Sequence, residues 1–436
     1  MGRLRSWLSD VPQRFWFIPA LFITAAIAAS QLLVAADRAQ LPLPGVVESF
    51  LFDTGVDGAR ALLSAVASFL GVAGTAFSIT ISVISTTSTT YGPRLVRNFM
   101  RDRNNQIVLG VLVATFVYTL MVLRTIRSEG DDGSAFVPHI AVNGAIALGV
   151  VDVFLFVWFI NHIAGSVQVD ALVKGARDDF RRAVRDNWLD PDDKHVDHFD
   201  PPREGGGVAT LGRSGYLTRI DIRDLAEDIT QTATSVRLLK RVGDQVMEDE
   251  PLALVWPAEA VDVAQHRIRD HVHVGPSRTT EQDVRFAEQQ VVELAVRALS
   301  PGTNDPYTAV NAVEEVAAGV LTAVSRPDTG TILVDDDGAP RLYLRPVRAA
   351  EIVDMPFEHL RPYALNARIV LESLVDLAAR IRVAAVDPEL AARADRHVDL
   401  LVQEADGELT APDLATLRQY VATSRADSVT QPPARP

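Results

Sequence analysis

The residues best placed to do chemistry in this chain form a line of hydroxyls rather than a catalytic cluster. Taken at alternating steps of four and three, Ser64, Ser68, Gly71, Thr75, Ser78, Ser82, Ser85 and Thr89 share one stripe of a helix predicted from about Ala59 to Thr90. Every member is small, and all but Gly71 carry a hydroxyl. Such a seam supports two chemistries. Small residues let backbones approach closely in lipid while hydroxyls bridge helices. Alternatively, seams from several subunits surround an aqueous path, where hydroxyls replace part of an ion's hydration shell. The run Ser85-Thr86-Thr87-Ser88-Thr89-Thr90 is polar on all faces, more than packing requires, and it ends at a helix break in Gly92-Pro93.

A second candidate is Asp152, near the middle of an apolar stretch from Val137 to about Ile163. An aspartate at mid-helix costs about 2.5–3.5 kcal/mol on insertion scales, so such residues face a bundle interior or a watery cavity. It reads either as an ion or proton site or as a carboxyl bonded to a hydroxyl of another helix. A third candidate is the polar corner Ser300-Pro301-Gly302-Thr303-Asn304-Asp305-Pro306-Tyr307-Thr308. There Asn304 or Asp305 caps the next helix with Pro306 at its first position. Ser300, Asn304, Asp305 and Thr308 form either a helix–helix corner or a clamp for a polar ligand. His271 and His273 lack a third metal ligand at suitable spacing. The acidic run Asp190 to Asp200 with His195 and His198 lacks rigid geometry. No metal site or cofactor is expected.

The elements that hold these residues are apolar spans. The first covers about Phe15 to Ala36, the second is the seam helix, the third runs from about Gln106 to Ile126, and the fourth carries Asp152. Each reaches the roughly 20 residues that cross hydrocarbon. The first apolar stretch exceeds a usual signal-peptide core of roughly 7–15 residues, so it is read as an uncleaved anchor. Arginine alternates along the connections. Arg3, Arg5 and Arg14 precede span one, Arg94, Arg97, Arg101 and Arg103 follow span two, and Lys174 and Arg177 to Arg185 follow span four. The intervening loops mix arginine with acids. The positive-inside rule then predicts both termini in the cytoplasm.

The expected fold is therefore membrane α-helical, with four transmembrane helices in residues 1–165, followed by an α+β cytoplasmic domain. A charged juxtamembrane helix and an acidic linker fill 166–207. Alternating apolar residues and the turns Val242-Gly243-Asp244 predict a small β module at 208–256, similar to biotinyl- and lipoyl-type barrel-sandwich hairpins but without a tip lysine. A mostly helical domain with a β hairpin at Thr331 to Leu344 occupies 257–426, and 427–436 reads as a disordered tail.

Composition narrows the function. The formal charge of −14 argues against nucleic acid. With no cysteine, thiolate nucleophiles, disulfides and zinc-thiolate sites are excluded. The chain has no P-loop, dinucleotide glycine fingerprint, serine elbow or zincin helix, and no enzyme activity is expected.

Ordered motifs along the chain resemble one family. They are Ala76-Phe77-Ser78-Ile79-Thr80, Tyr91-Gly92-Pro93-Arg94-Leu95-Val96-Arg97-Asn98-Phe99-Met100, Phe136-Val137-Pro138-His139, Phe159-Ile160-Asn161-His162-Ile163-Ala164 and Arg297 to Ala309. The chain is similar to predicted bacterial membrane proteins catalogued as domain of unknown function 2254. That resemblance implies a membrane location and no established activity. Asp152 lies outside these motifs. The expectation is an oligomeric channel or transporter in the bacterial inner membrane, lined by the second span and passing an ion or small solute. A membrane-anchored sensor or scaffold is the alternative.

Overall fold

A computed structural model describes residues 15–39, 54–91, 99–100, 102–128, 135–166, 169–187, 195–196, 204–232, 234–328 and 331–430. The chain forms two compact units, Met1–Gln168 and Val169–Pro436.

The first unit contains α1 (Phe17–Arg38), α2 (Val56–Tyr91), α3 (Arg103–Leu123) and α4 (His139–Ser166). All four are long and apolar enough to cross a bilayer. The 36 residues of α2 span about 54 Å against a hydrocarbon core of about 30 Å. Glycine sets the closest approach: a Cβ on Gly110 of α3 would lie 2.9 Å from the Phe22 ring of α1. α2 meets α4 through aromatic pairs, with Phe77 stacked on Phe159 at 4.3 Å and Phe69 edge-on to Phe156 at 5.6 Å. A core of Val34, Ala59, Leu63, Tyr118, Val122, Ala141 and Ala145 ties the four helices together. Asp37 closes the start of α4 by accepting from the Ile140 and Ala141 amides at 2.9 and 3.0 Å, a charge suited to a helix N-terminus.

The second unit begins with α5 (Val169–Asn187), which is strongly amphipathic. Val173, Ala176, Phe180, Ala183 and Val184 are buried along one face, at helical spacing. The acidic linker expected next lies outside the described residues except for β1 (His195–Val196). Then come β2 (Gly207–Thr210), β3 (Gly215–Ile220), α6 (Ile222–Gln231), β4 (Ser235–Leu238), β5 (Gln245–Val246), β6 (Pro251–Trp256), α7 (Val261–His271) and β7 (Val272–Gly275). α8 (Val284–Ala298) and α9 (Pro306–Val324) flank the polar corner, and β8 (Ile332–Val334) and β9 (Pro340–Tyr343) form the predicted hairpin. α10 (Ala349–Ala364), α11 (Arg368–Ala384), α12 (Pro388–Ala405) and α13 (Ala411–Thr430) complete the unit. α9 is the central helix, packed by α5, α8, α10 and α11.

The strands correct the expected barrel-sandwich module. Among the described residues they close no barrel but form a six-stranded sheet, β1-β8-β9-β4-β6-β2, and a three-stranded sheet, β5-β3-β7. The hairpin at Thr331 to Leu344 belongs to the larger sheet: β9 runs parallel to β4, with Val236 opposite Leu342. An unpaired edge on β4 and an apolar hairpin solve each other's problem, since buried backbone groups must be hydrogen-bonded. The turn that imitates a carrier hairpin is fixed in place, for Gly243 (φ 95°) abuts the Asp283 carboxylate. Leu217, Leu225, Ile229, Val236, Val255, Ile268 and Leu342 unite both sheets with α6 and α7 in one core. At the C-terminal end, α13 continues through Thr430, so 427–430 is helical.

Candidate functional site

α2 has two sides with different fates. Ala59, Leu63, Ala73, Phe77 and Ile84 are buried, a four-and-three stripe on the side toward α3 and α4. The seam follows the same spacing five positions on, about 140° round the helix. Ser64, Ser68, Gly71, Thr75, Ser78, Ser82 and Ser85 are all exposed in the single chain. The Thr89 side chain and Gly92-Pro93 lie outside the described residues. Several hydroxyls on α2 turn back onto their own helix: Ser68 donates to the Ala65 carbonyl at 2.7 Å, Thr75 to Gly71 at 3.0 Å and Thr86 to Ser82 at 3.0 Å. Back-bonding of this kind satisfies a hydroxyl without another helix. The face therefore stays polar-lined yet closely approachable.

Asp152 is turned the other way. It is 2 % exposed and accepts a hydrogen bond from Thr115 of α3, Oγ1 to Oδ1, at 3.2 Å. Thr115 is as deeply buried, and Thr119, one turn on, donates to the Thr115 and Phe116 carbonyls. Asp152 and the seam are not brought to one place within the chain. At the far end of α4, His162 contacts Asp102 at 2.7 Å and stacks on Trp158. Asp102 also caps α3 through the Asn104 amide. Tyr118 donates to the Ala141 carbonyl at 2.8 Å, and a Cβ on Gly144 would meet its hydroxyl at 2.8 Å.

The corner in the second unit is a closed set of hydrogen bonds. Ser300 Oγ donates to the Arg297 carbonyl at 2.7 Å and to Thr303 Oγ1 at 3.3 Å. Asp305 caps α9, accepting from the Thr308 amide at 3.1 Å and from its hydroxyl at 2.6 Å. The Thr308 hydroxyl and amide hold the Asp305 carboxyl below its ordinary range. Asn304 adopts φ 46°, the left-handed conformation that asparagine tolerates, and this turns the chain from α8 into α9.

Three arrangements were not singled out from the sequence, and the first two carry no signal in simple motifs. Thr115 gives no hint of its role from within a conventional apolar span. Asp354, Glu358 and His397 place one potential ligand atom each within 4.8 Å of one another. However, Arg393 occupies both Asp354 oxygens, at 2.5 and 2.6 Å, and His397 Nε2 lies 2.8 Å from Oδ1 while its ring stacks on Phe357. Burial alone would raise the Asp354 pKa; the Arg393 and His397 hydrogen bonds outweigh it and hold the carboxyl low. The group is an ion-pair network linking α10 to α12. His271 and His273 belong to different elements: His271 ends α7 and pairs with Asp228, while His273 on β7 pairs with Asp221. Finally, Glu288 sits on a buried stripe of α8 with Val284, Val291, Ala295 and Ala298. Its four-and-three spacing is legible in the sequence.

The profile of a family described as "Predicted membrane protein (DUF2254)" matches residues 12–380. Uncharacterized proteins from two strains of Mycobacterium tuberculosis and one of Mycobacterium bovis are each 28% identical to this chain over 444 residues, covering 99% of it and 84% of their own length. No solved structure matches.

Proposed function

The chain belongs to the DUF2254 family of predicted membrane proteins, and from that premise we propose that it assembles through α2 into an oligomeric channel or transporter. The observation that carries this reading is the exposure of the whole seam from Ser64 to Ser85 on a helix that buries Ala59, Leu63, Ala73, Phe77 and Ile84 on another side and exposes Val72, Ile79 and Val83 on a third. A surface that only faces lipid gains from Leu, Ile, Phe and Val, a few tenths of a kcal/mol each, roughly 0.3–0.6 on the insertion scale. α4 has such a surface in Val150, Val153, Phe154, Val157 and Ile160. The seam has none of it over seven positions. Copies of α2 around an axis give those positions a use, with small side chains setting the approach and hydroxyls facing what passes.

In this reading the protein is a multi-pass protein of the bacterial plasma membrane with both termini in the cytoplasm, as the alternation of arginine along the connections supports. The permeant is an ion or small solute. Asp152, enclosed against α3, is an acid held inside each protomer rather than a lining residue. The test is flux through purified protein in liposomes. Flux above that of empty liposomes is expected, and Ser78→Leu or Ser82→Leu blocks it while leaving the protein folded. No flux across a panel of ions, or full flux in both leucine variants, overturns the reading.

A further inference from the structure

Glu288 is fully buried in the middle of α8, and neither of its carboxylate oxygens reaches a hydrogen-bond partner. Its own helix surrounds it with Val284, Ala287, Val291 and Val292, all buried. The cation that acts on it, Arg285, is exposed on the same helix. α10, packed against α8, contributes two further acids, Glu351 and Asp354. Their cations are already engaged: Arg241 forks onto Glu351 at 3.0 and 2.9 Å, and Arg393 onto Asp354. α5 and α9 also pack against α8, and their Arg177 and Glu315 pair with each other at 2.8 Å. A carboxylate in such a place has no hydrogen bond, and only the exposed Arg285 acting on it as a cation, to replace its lost hydration, and a buried acid so placed neutralises instead.

α8 and α10 also border a groove. It measures about 360 Å³ and is lined by Gln289, Val292, Glu293, Glu358, His359 and Tyr363. Val292, one turn from Glu288 on α8, is part of that lining.

We propose that Glu288 is a proton-operated catch: neutral, it lets α8 seat on α10, and ionised, it adds a third negative charge beside Glu351 and Asp354 and loosens that packing toward the groove. Burial pushes the Glu288 pKa well above the ordinary glutamate value of 4.5; Arg285 opposes the shift, and Asp354 and Glu351 add to it. The folded protein therefore holds a proton that the unfolded chain has lost. The stability this proton contributes is fully present below the unfolded value and is lost as pH rises through the folded one. The proposal does not depend on what crosses the membrane.

The experiment uses the full chain in detergent, with thermal midpoint and hydrogen exchange followed from about pH 5 to about pH 9. In the wild type the midpoint falls as pH rises, and exchange in α8 and α10, corrected for its intrinsic pH dependence, speeds up. Glu288→Gln and the apolar Glu288→Met remove both trends. Should neither variant fold, infrared titration of the wild type decides, through the carbonyl band of a neutral carboxylic acid that persists at neutral pH and disappears in alkali. Parallel pH profiles in wild type and variants, or absence of that band at neutral pH, overturn the proposal.

Discussion

Gly319→Ala is the sharpest probe of how the second unit is built. Gly319 lies in the middle of α9, where α5 crosses it, and a Cβ there would fall 2.1, 2.2 and 2.8 Å from three atoms of the Phe180 ring. Helix propensity alone favours alanine over glycine at an interior position by about 0.8–1.0 kcal/mol. Packing opposes it. Carbon contacts are comfortable at about 3.5–4.0 Å, so the ring must retreat by more than an ångström, and Phe180 is fully buried. Overpacking of this kind costs about 1–3 kcal/mol, and contact with the near edge of a ring places this case at the upper end. The net expectation is destabilisation by about 1–2 kcal/mol, a drop of about 2–8 °C in the thermal midpoint of a unit this size. The assay is thermal unfolding of the purified chain, with Phe180→Leu and the double variant completing a cycle. The double variant should be more stable than the sum of the singles by at least about 0.5 kcal/mol, because leucine clears the ring atoms the new methyl strikes. A raised midpoint in Gly319→Ala, or strict additivity, would refute the docking of α5 on α9.

Two further perturbations test the corner and the intramembrane acid. Asp305→Ala removes the cap of α9 and lowers stability by about 1 kcal/mol, measurable by denaturant unfolding. Because Thr308 holds the Asp305 carboxyl low, the cap's contribution is present above the unfolded pKa and is lost as pH falls through the folded one, so Asp305→Asn flattens the acid limb of the stability profile. Equal acid limbs would show that the cap does not titrate with folding. Asp152→Leu makes insertion of the fourth span more favourable by about 3 kcal/mol, read out by glycosylation mapping of the isolated segment. In the proposed channel the same variant alters flux, and unchanged flux assigns Asp152 to packing with Thr115 alone.

The spans were legible because their cause is local. Each is a run of apolar residues long enough for hydrocarbon, and its helix satisfies its own backbone. The Asp305 cap and Pro306 start of α9 were legible for the same reason: the stretch carries its own hydrogen-bond partners within four residues. The β module was not. Its alternation predicted strands, but only one partner of β4, β6, is local; the other lies about a hundred residues on, in β9, and nothing local to 208–256 specifies that pairing. The amphipathic helix after the fourth span was likewise visible as a helix, while its burial against α8 and α9 depended on Phe180 meeting a glycine on a distant segment.

The seam marks the same division. Sequence by itself determined that α2 has a line of small and hydroxyl residues at heptad spacing, because helical periodicity is a property of the chain alone. It determined equally that Asp152 must avoid lipid, since the cost of a charge in hydrocarbon needs no knowledge of neighbours. Only the tertiary structure decided which side of α2 its companions would cover. Phe77 stacks on Phe159 and Phe69 meets Phe156 edge-on, and that aromatic packing commits their side of α2 to its neighbours and leaves the seam exposed. The same packing turned Asp152 inward to Thr115, because a buried carboxyl settles where a donor on another helix meets it.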